Sequence, residues 1–131
     1  MLISIIMRSK VLNNKYFFLE NKINQMATLT EIIVFSVQLA RQRKKDLIIL
    51  VSTKKDIRQH SVIRKTMDRL KLPFNGVEFT ARLIGVQVSL KAVNSYKLGF
   101  PDAVYIGYNV DKRFCDTMEL IGQESEVIMM K

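Results

Sequence analysis

Cysteine is almost absent from this 131-residue chain. The lone thiol, Cys115, can neither close an intramolecular disulfide nor furnish a Cys-cluster zinc site. Long apolar runs are missing too. The longest span about five residues, as in Leu47–Val51, where a bilayer crossing needs about 20, so no membrane partner is expected. Glycine is scarce where phosphate loops need it. Neither the G-x-x-x-x-G-K loop nor G-x-G-x-x-G occurs, which excludes those two nucleotide-binding devices. There is no internal repeat or low-complexity tract. Acidic residues are also few, 12 Asp+Glu against 21 Lys+Arg, for a net charge of +9. What is present, 48% hydrophobic and 25% charged residues, is the composition of one globular domain with a real core.

The positive charge is unevenly spread. Residues 1–71 carry 15 basic and 5 acidic side chains, whereas 72–131 carry 6 and 7. Within 41–71 the balance is 11 to 3, or +8. Such clustering favours a polyanionic partner, because neutralised phosphates release condensed counterions. The plainer alternative is a solvated face that keeps the protein soluble.

Residues 1–25 read as an N-terminal extension of unknown role, apolar at first and then Asn- and Lys-rich. It has the charge bias of an organellar presequence but little Arg or Ser, and Met26 offers an internal start. An intracellular setting, cytoplasm or nucleus, is expected, with a mitochondrial one open. Residues 26–45 read as an additional helix: Thr28-Leu29-Thr30-Glu31 has the capping-box pattern, and Leu29, Ile32, Ile33, Ser36, Val37 and Ala40 follow helical spacing. Residues 46–131 form the main domain. Leu47–Val51, apolar on both faces, predicts a central strand. Asp56 is expected to cap a basic helix over 56–71, ended by Pro73 and Asn75-Gly76. A strand over 77–81 follows. Residues 83–97 fit both periodicities: Val86, Val88, Leu90 and Ala92 alternate as in a strand, while Leu83, Val86, Leu90, Val93 and Lys97 share a helical face. Leu98-Gly99 with Pro101 beyond is a helix-ending signal, so a helix is expected. A strand over 103–107, a short helix within 111–120 and a last strand over 126–130 complete the chain.

Strands separated by helices run parallel through right-handed crossovers. Ser52-Thr53-Lys54-Lys55 and Thr80-Ala81-Arg82 should therefore leave the sheet at one edge, each at a helix N-terminus, where cations and free N–H groups suit phosphate. Leu50-Val51-Ser52-Thr53-Lys54-Lys55, then a basic amphipathic helix, then Gly76-Val77-Glu78-Phe79-Thr80-Ala81-Arg82 resembles the Alba superfamily; Lys91-Ala92-Val93 and Gly99-Phe100 continue the likeness. The resemblance implies an α/β (α+β two-layer) fold of order βαβαββ, here with an extra N-terminal helix. It implies a non-catalytic protein that needs no cofactor or metal and binds RNA or DNA as a homodimer or as a heterodimer with a related Alba-like chain. Members include the paired small subunits of RNase P/MRP-type ribonucleoproteins, so a place within a larger ribonucleoprotein is also implied.

The family's nucleic-acid lysines correspond to Lys54 and Lys55 and its arginine to Arg82; Arg58, one turn on, extends the patch. The connection 109–124 carries Lys112 and Arg113 but also Asp111, Asp116, Glu119 and Glu124, a poor groove-reaching arm, which favours RNA over minor-groove DNA. Two alternatives compete. One is a Mg²⁺-dependent nuclease or phosphate-handling enzyme using Asp56, Glu78 and Asp111. The other is a protein–protein subunit docking through residues 1–45. His60 and Cys115 read as structural, and Tyr96, Tyr105 and Tyr108 as packing residues that could also stack on bases.

Overall fold

Local hydrogen bonding begins the fold where the sequence predicts it. The computed structural model describes residues 3–6, 28–96 and 99–130; most of the N-terminal extension, with Met26, Lys97 and Leu98, lies outside them. Helix α1 (Leu29–Arg43) opens on a complete capping box. The Glu31 N–H donates to Thr28 Oγ1 and the Thr28 N–H to Glu31 Oε1, both at 3.2 Å. Its helical stripe, including Ser36, is buried as the spacing predicts.

The remaining elements are β1 (Ile3–Ile6), β2 (Leu47–Val51), α2 (Lys54–Gln59), α3 (Ser61–Arg69), β3 (Phe79–Leu83), β4 (Val86–Ala92), β5 (Val104–Tyr108), α4 (Cys115–Glu124) and β6 (Glu126–Met130). Short 3₁₀ turns at Val93–Ser95 and Lys112–Phe114 follow β4 and precede α4. The six strands form one sheet in the order β1-β6-β5-β2-β4-β3. Strands β2, β4, β5 and β6 are mutually parallel, and β1 and β3 run antiparallel at the two edges.

The mixed α/β class stands, but four expectations are corrected. The described residues of that stretch, 83–96, form no α-helix; they build the β3–β4 hairpin and a 3₁₀ turn. Strand β2 is buried along its whole length, so it needs a neighbour on each side, and β4 supplies one while β5 supplies the other. Val86, Val88, Leu90 and Ala92 then line one core face in strand alternation. The hairpin turn is Ile84-Gly85, both at positive φ (51° and 78°) as a two-residue primed turn requires. The order over 46–131 thus differs from βαβαββ.

Second, β3 runs over 79–83, antiparallel to β4, so its end does not share the edge of the β2 exit. Third, the 56–71 helix is two helices. Thr53, not Asp56, is the N-cap of α2, and Asp56 is the reciprocal N3 partner. His60, at φ −86° and ψ 107°, separates α2 from α3. Fourth, the architecture is not two-layered. Helices α1, α2 and α3 pack with Leu47, Ile49, Leu90, Ile106 and Ile128 on one face of the sheet. Met118 and Ile121 of α4 pack with Ile48, Leu50, Tyr105 and Val127 on the other. Helix α1, read as an addition, supplies much of the first core.

Candidate nucleic-acid interface

Parallel strands that send their chains to opposite faces leave a crevice beyond their carboxyl ends. Strand β2 feeds α2 over one face, whereas the chain leaving β4 and the chain leaving β5 cross the other, where Val93, Tyr96, Val110 and Phe114 are packed. A crevice can therefore open on either side of the β2 exit. On the β5 side it is bridged: the Asp111 N–H donates to the buried Ser52 Oγ at 2.7 Å. On the β4 side a cleft of about 710 Å³ remains, lined by the Thr53-Lys54-Lys55 turn, Glu78, Lys91 and the run Asn94-Ser95-Tyr96.

The turn is shaped by its own side chains. Asp56 Oδ2 accepts from the Thr53 N–H and from Thr53 Oγ1, each at 3.0 Å, and the Asp56 N–H returns a 3.4 Å bond to Thr53 Oγ1. That box consumes the Asp56 carboxylate and starts α2 at once, which sends Lys54 and Lys55 out from the strand end. The Lys54 side chain is 70% exposed, with its Nζ 3.7 Å from Glu78 Oε1. Glu78, just ahead of β3, ties the cleft together: its Oε2 accepts from the Ala92 N–H (2.9 Å) and from Ser95 Oγ (2.7 Å). Burial pushes the Glu78 carboxyl up, but those two hydrogen bonds and the Lys54 and Lys91 charges outweigh it and hold it below its ordinary value. A second cleft, about 450 Å³, shares Lys54 and Glu78 and adds Arg58, Gly76 and Val77. Lys54 is thus the ridge between two adjoining grooves. Among the described residues no carboxylate lies within ion-pairing distance of Lys55, Arg58 or Lys91.

The structure brings Lys54, Lys55 and Arg58 together. Lys112 and Arg113 follow β5 and reach the same sheet edge, on the far side of the Ser52–Asp111 bridge. Arg113 pairs with Asp111 at 3.2 Å and lies 4.8 Å over the Phe114 ring. Arg82 is not part of this group. The antiparallel course of β3 carries it to the opposite edge, where its Nη1 donates to the Gly85 carbonyl at 3.0 Å. The basic run 41–71 is divided as well, because β2 separates its two halves. Arg43 and Lys45 lie at the strand's beginning, bound to Glu126 (3.1 Å) and Asp102 (3.0 Å).

Sequence reasoning did not single out Lys91 or Asn94 as site residues. The alternation of 86–92 was their available signal, since a strand there ends beside the β2 exit. Of the tyrosines expected to pack or stack, Tyr105 and Tyr108 are buried, and Tyr96 lines the cleft. The Tyr105 hydroxyl donates to the Pro101 carbonyl, and the His60 ring meets Tyr108 edge-on at 5.1 Å. Cys115 is a half-buried free thiol at the start of α4. The three carboxylates considered for Mg²⁺ are spent separately, Asp56 in a cap, Glu78 on the Ala92 N–H and Ser95, and Asp111 on Arg113. Among the described residues no group of three or more His, Cys, Asp or Glu side chains could hold a metal ion. Nor is any described helix long and apolar enough to cross a membrane. Compared with protein-family models, curated proteins and solved structures, the chain finds no match.

Proposed function

We propose that this protein binds the phosphate backbone of a nucleic acid, RNA in particular, through the C-terminal edge of its parallel strands and without cleaving it. The observation that carries the reading is the set of cations Lys55, Arg58 and Lys91, unpaired among the described residues, around two grooves that meet at Lys54. Cations held at a strand end without a close ion pair give up little on meeting phosphate and gain the release of its counterions. RNA is favoured over DNA because the connection after β5 is folded into α4, with Met118 and Ile121 buried, and offers no extended arm for a groove.

The test is fluorescence anisotropy of a labelled RNA across a salt series. Wild type should bind with a steep salt slope, about −0.7 per neutralised phosphate on a single strand. Lys54→Glu/Lys55→Glu should lose at least about thirtyfold at low salt, with a shallower slope. Equal affinity in both proteins, or binding indifferent to salt, would overturn the reading.

A further inference from the structure

The larger cleft has an aromatic wall as well as a cationic rim. The Tyr96 ring is backed by Phe100, centroids 4.6 Å apart and planes tilted by 39°, and Phe100 in turn meets Tyr105 edge-on at 6.2 Å. Tyr105 is fully buried, so this stack is anchored in the core, and Tyr96 is the ring of it that lines the cleft. The approach to Tyr96 is also anchored, since Glu78 holds the Val93–Ser95 turn through the Ala92 N–H and the Ser95 hydroxyl. Burial, and after it the Glu78 charge, push the Tyr96 hydroxyl above its ordinary value. Asn94, which is exposed, adds an amide, both donor and acceptor, to the same cleft wall. Lys54, Lys55 and Lys91 supply charge around the same space.

A volume of about 710 Å³ lies within the range of sites that enclose a small ligand. A duplex cannot use such a wall, because its bases are stacked on one another and present no free face; a splayed single-stranded base can. We propose that this cleft receives one unstacked nucleobase of a single-stranded RNA, ring against Tyr96, with its flanking phosphates on Lys54, Lys55 and Lys91. The inference rests on the nucleic-acid reading above and narrows its ligand from RNA in general to single strands.

Anisotropy with a labelled single strand of about 12 nucleotides and with its duplex, and emission from a 2-aminopurine within the single strand, test it on the full chain. Wild type should prefer the single strand and quench the 2-aminopurine. Tyr96→Ala should lose at least about fivefold in affinity and the quenching, while keeping the salt slope; Tyr96→Phe should stay within about twofold of wild type. Tyr96→Leu fills the same packing space without a π-face and should behave like Tyr96→Ala, which separates stacking from a folding defect. If the Tyr96 variants bind and quench like wild type while Lys54→Glu/Lys55→Glu loses binding, the base site is wrong and the phosphate reading stands. Equal affinity for the duplex also overturns the base site. No binding of any RNA overturns both.

Discussion

The two ends of the parallel strands are both basic in sequence and differ in what surrounds the charge. At the N-terminal end, Arg43 meets Glu126 and Lys45 meets Asp102, which also accepts from Ser125 Oγ at 3.2 Å. At the C-terminal end, Lys54 has Glu78 at 3.7 Å, and Lys55, Arg58 and Lys91 have no ion partner among the described residues. Strand β2 holds the two groups about 17 Å apart, so a +8 run along the chain becomes two sites of unlike character. A run of charge in a sequence therefore does not define a surface. Where strand pairing returns carboxylates to it, the charge serves the fold; where it does not, the charge stays open to solvent.

The strongest way to break this comparison is to move the charge reversal from one end to the other. Lys54→Glu/Lys55→Glu should cost at least about thirtyfold in RNA affinity, whereas Arg82→Ala and Lys45→Ala, at the opposite edge, should leave it within about twofold. A comparable loss from either of the latter would mean that RNA contacts both ends.

Next is Glu126→Gln. Glu126 is buried against Arg43, so removing its charge should lower stability by about 1.5 kcal/mol in urea unfolding and leave RNA affinity unchanged. Glu78→Gln should act differently at the other end, with about 1 kcal/mol less stability but RNA binding severalfold tighter, because Lys54 loses the carboxylate that pairs with it. The pH dependence separates this effect from a general loss of packing. Glu78 is held below its ordinary 4.5, so the native state binds fewer protons than the unfolded chain through that range. Its contribution is fully present above about pH 4.5 and fades as the pH falls through the lower native value. The stability gap between wild type and Glu78→Gln should therefore be full near neutral pH and close in acid.

The smallest effect concerns the β3–β4 turn, at the opposite end of the sheet from the Lys54 grooves. Ile84 is β-branched, 62% exposed and held at φ 51°, a conformation that suits asparagine or glycine. Ile84→Asn should raise stability by about 0.5–1 kcal/mol in thermal or urea unfolding, with RNA affinity unchanged. A loss of stability there would contradict the primed-turn geometry.

Much of the fold could be read locally. Thr28 and Glu31 form their box because the partners are three residues apart, and the same spacing in Thr53-Lys54-Lys55-Asp56 carries the second cap. That second box is as legible in the sequence as the first, with Thr53 as the cap and Asp56 as its reciprocal partner. The doubly apolar Leu47–Val51 predicts a central strand, and it is one. The residues 86–92 were ambiguous because a run of seven satisfies helical and strand periods together. Only the unfilled side of β2 decides between them. That decision reverses β3 and carries Arg82 away from the lysines, while it brings Lys91 and Tyr96 toward them.

By itself, the sequence determined the caps, the central strand and a Lys54-Lys55 turn at that strand's exit, since each depends on contacts only a few residues apart. Tertiary structure alone decided which cations share an edge and which are neutralised. Those outcomes depend on strand direction and on partners such as Arg43 with Glu126, which no local hydrogen bond or hydrophobic period specifies. Basicity belongs to the composition, and an available basic surface to the pairing of the sheet.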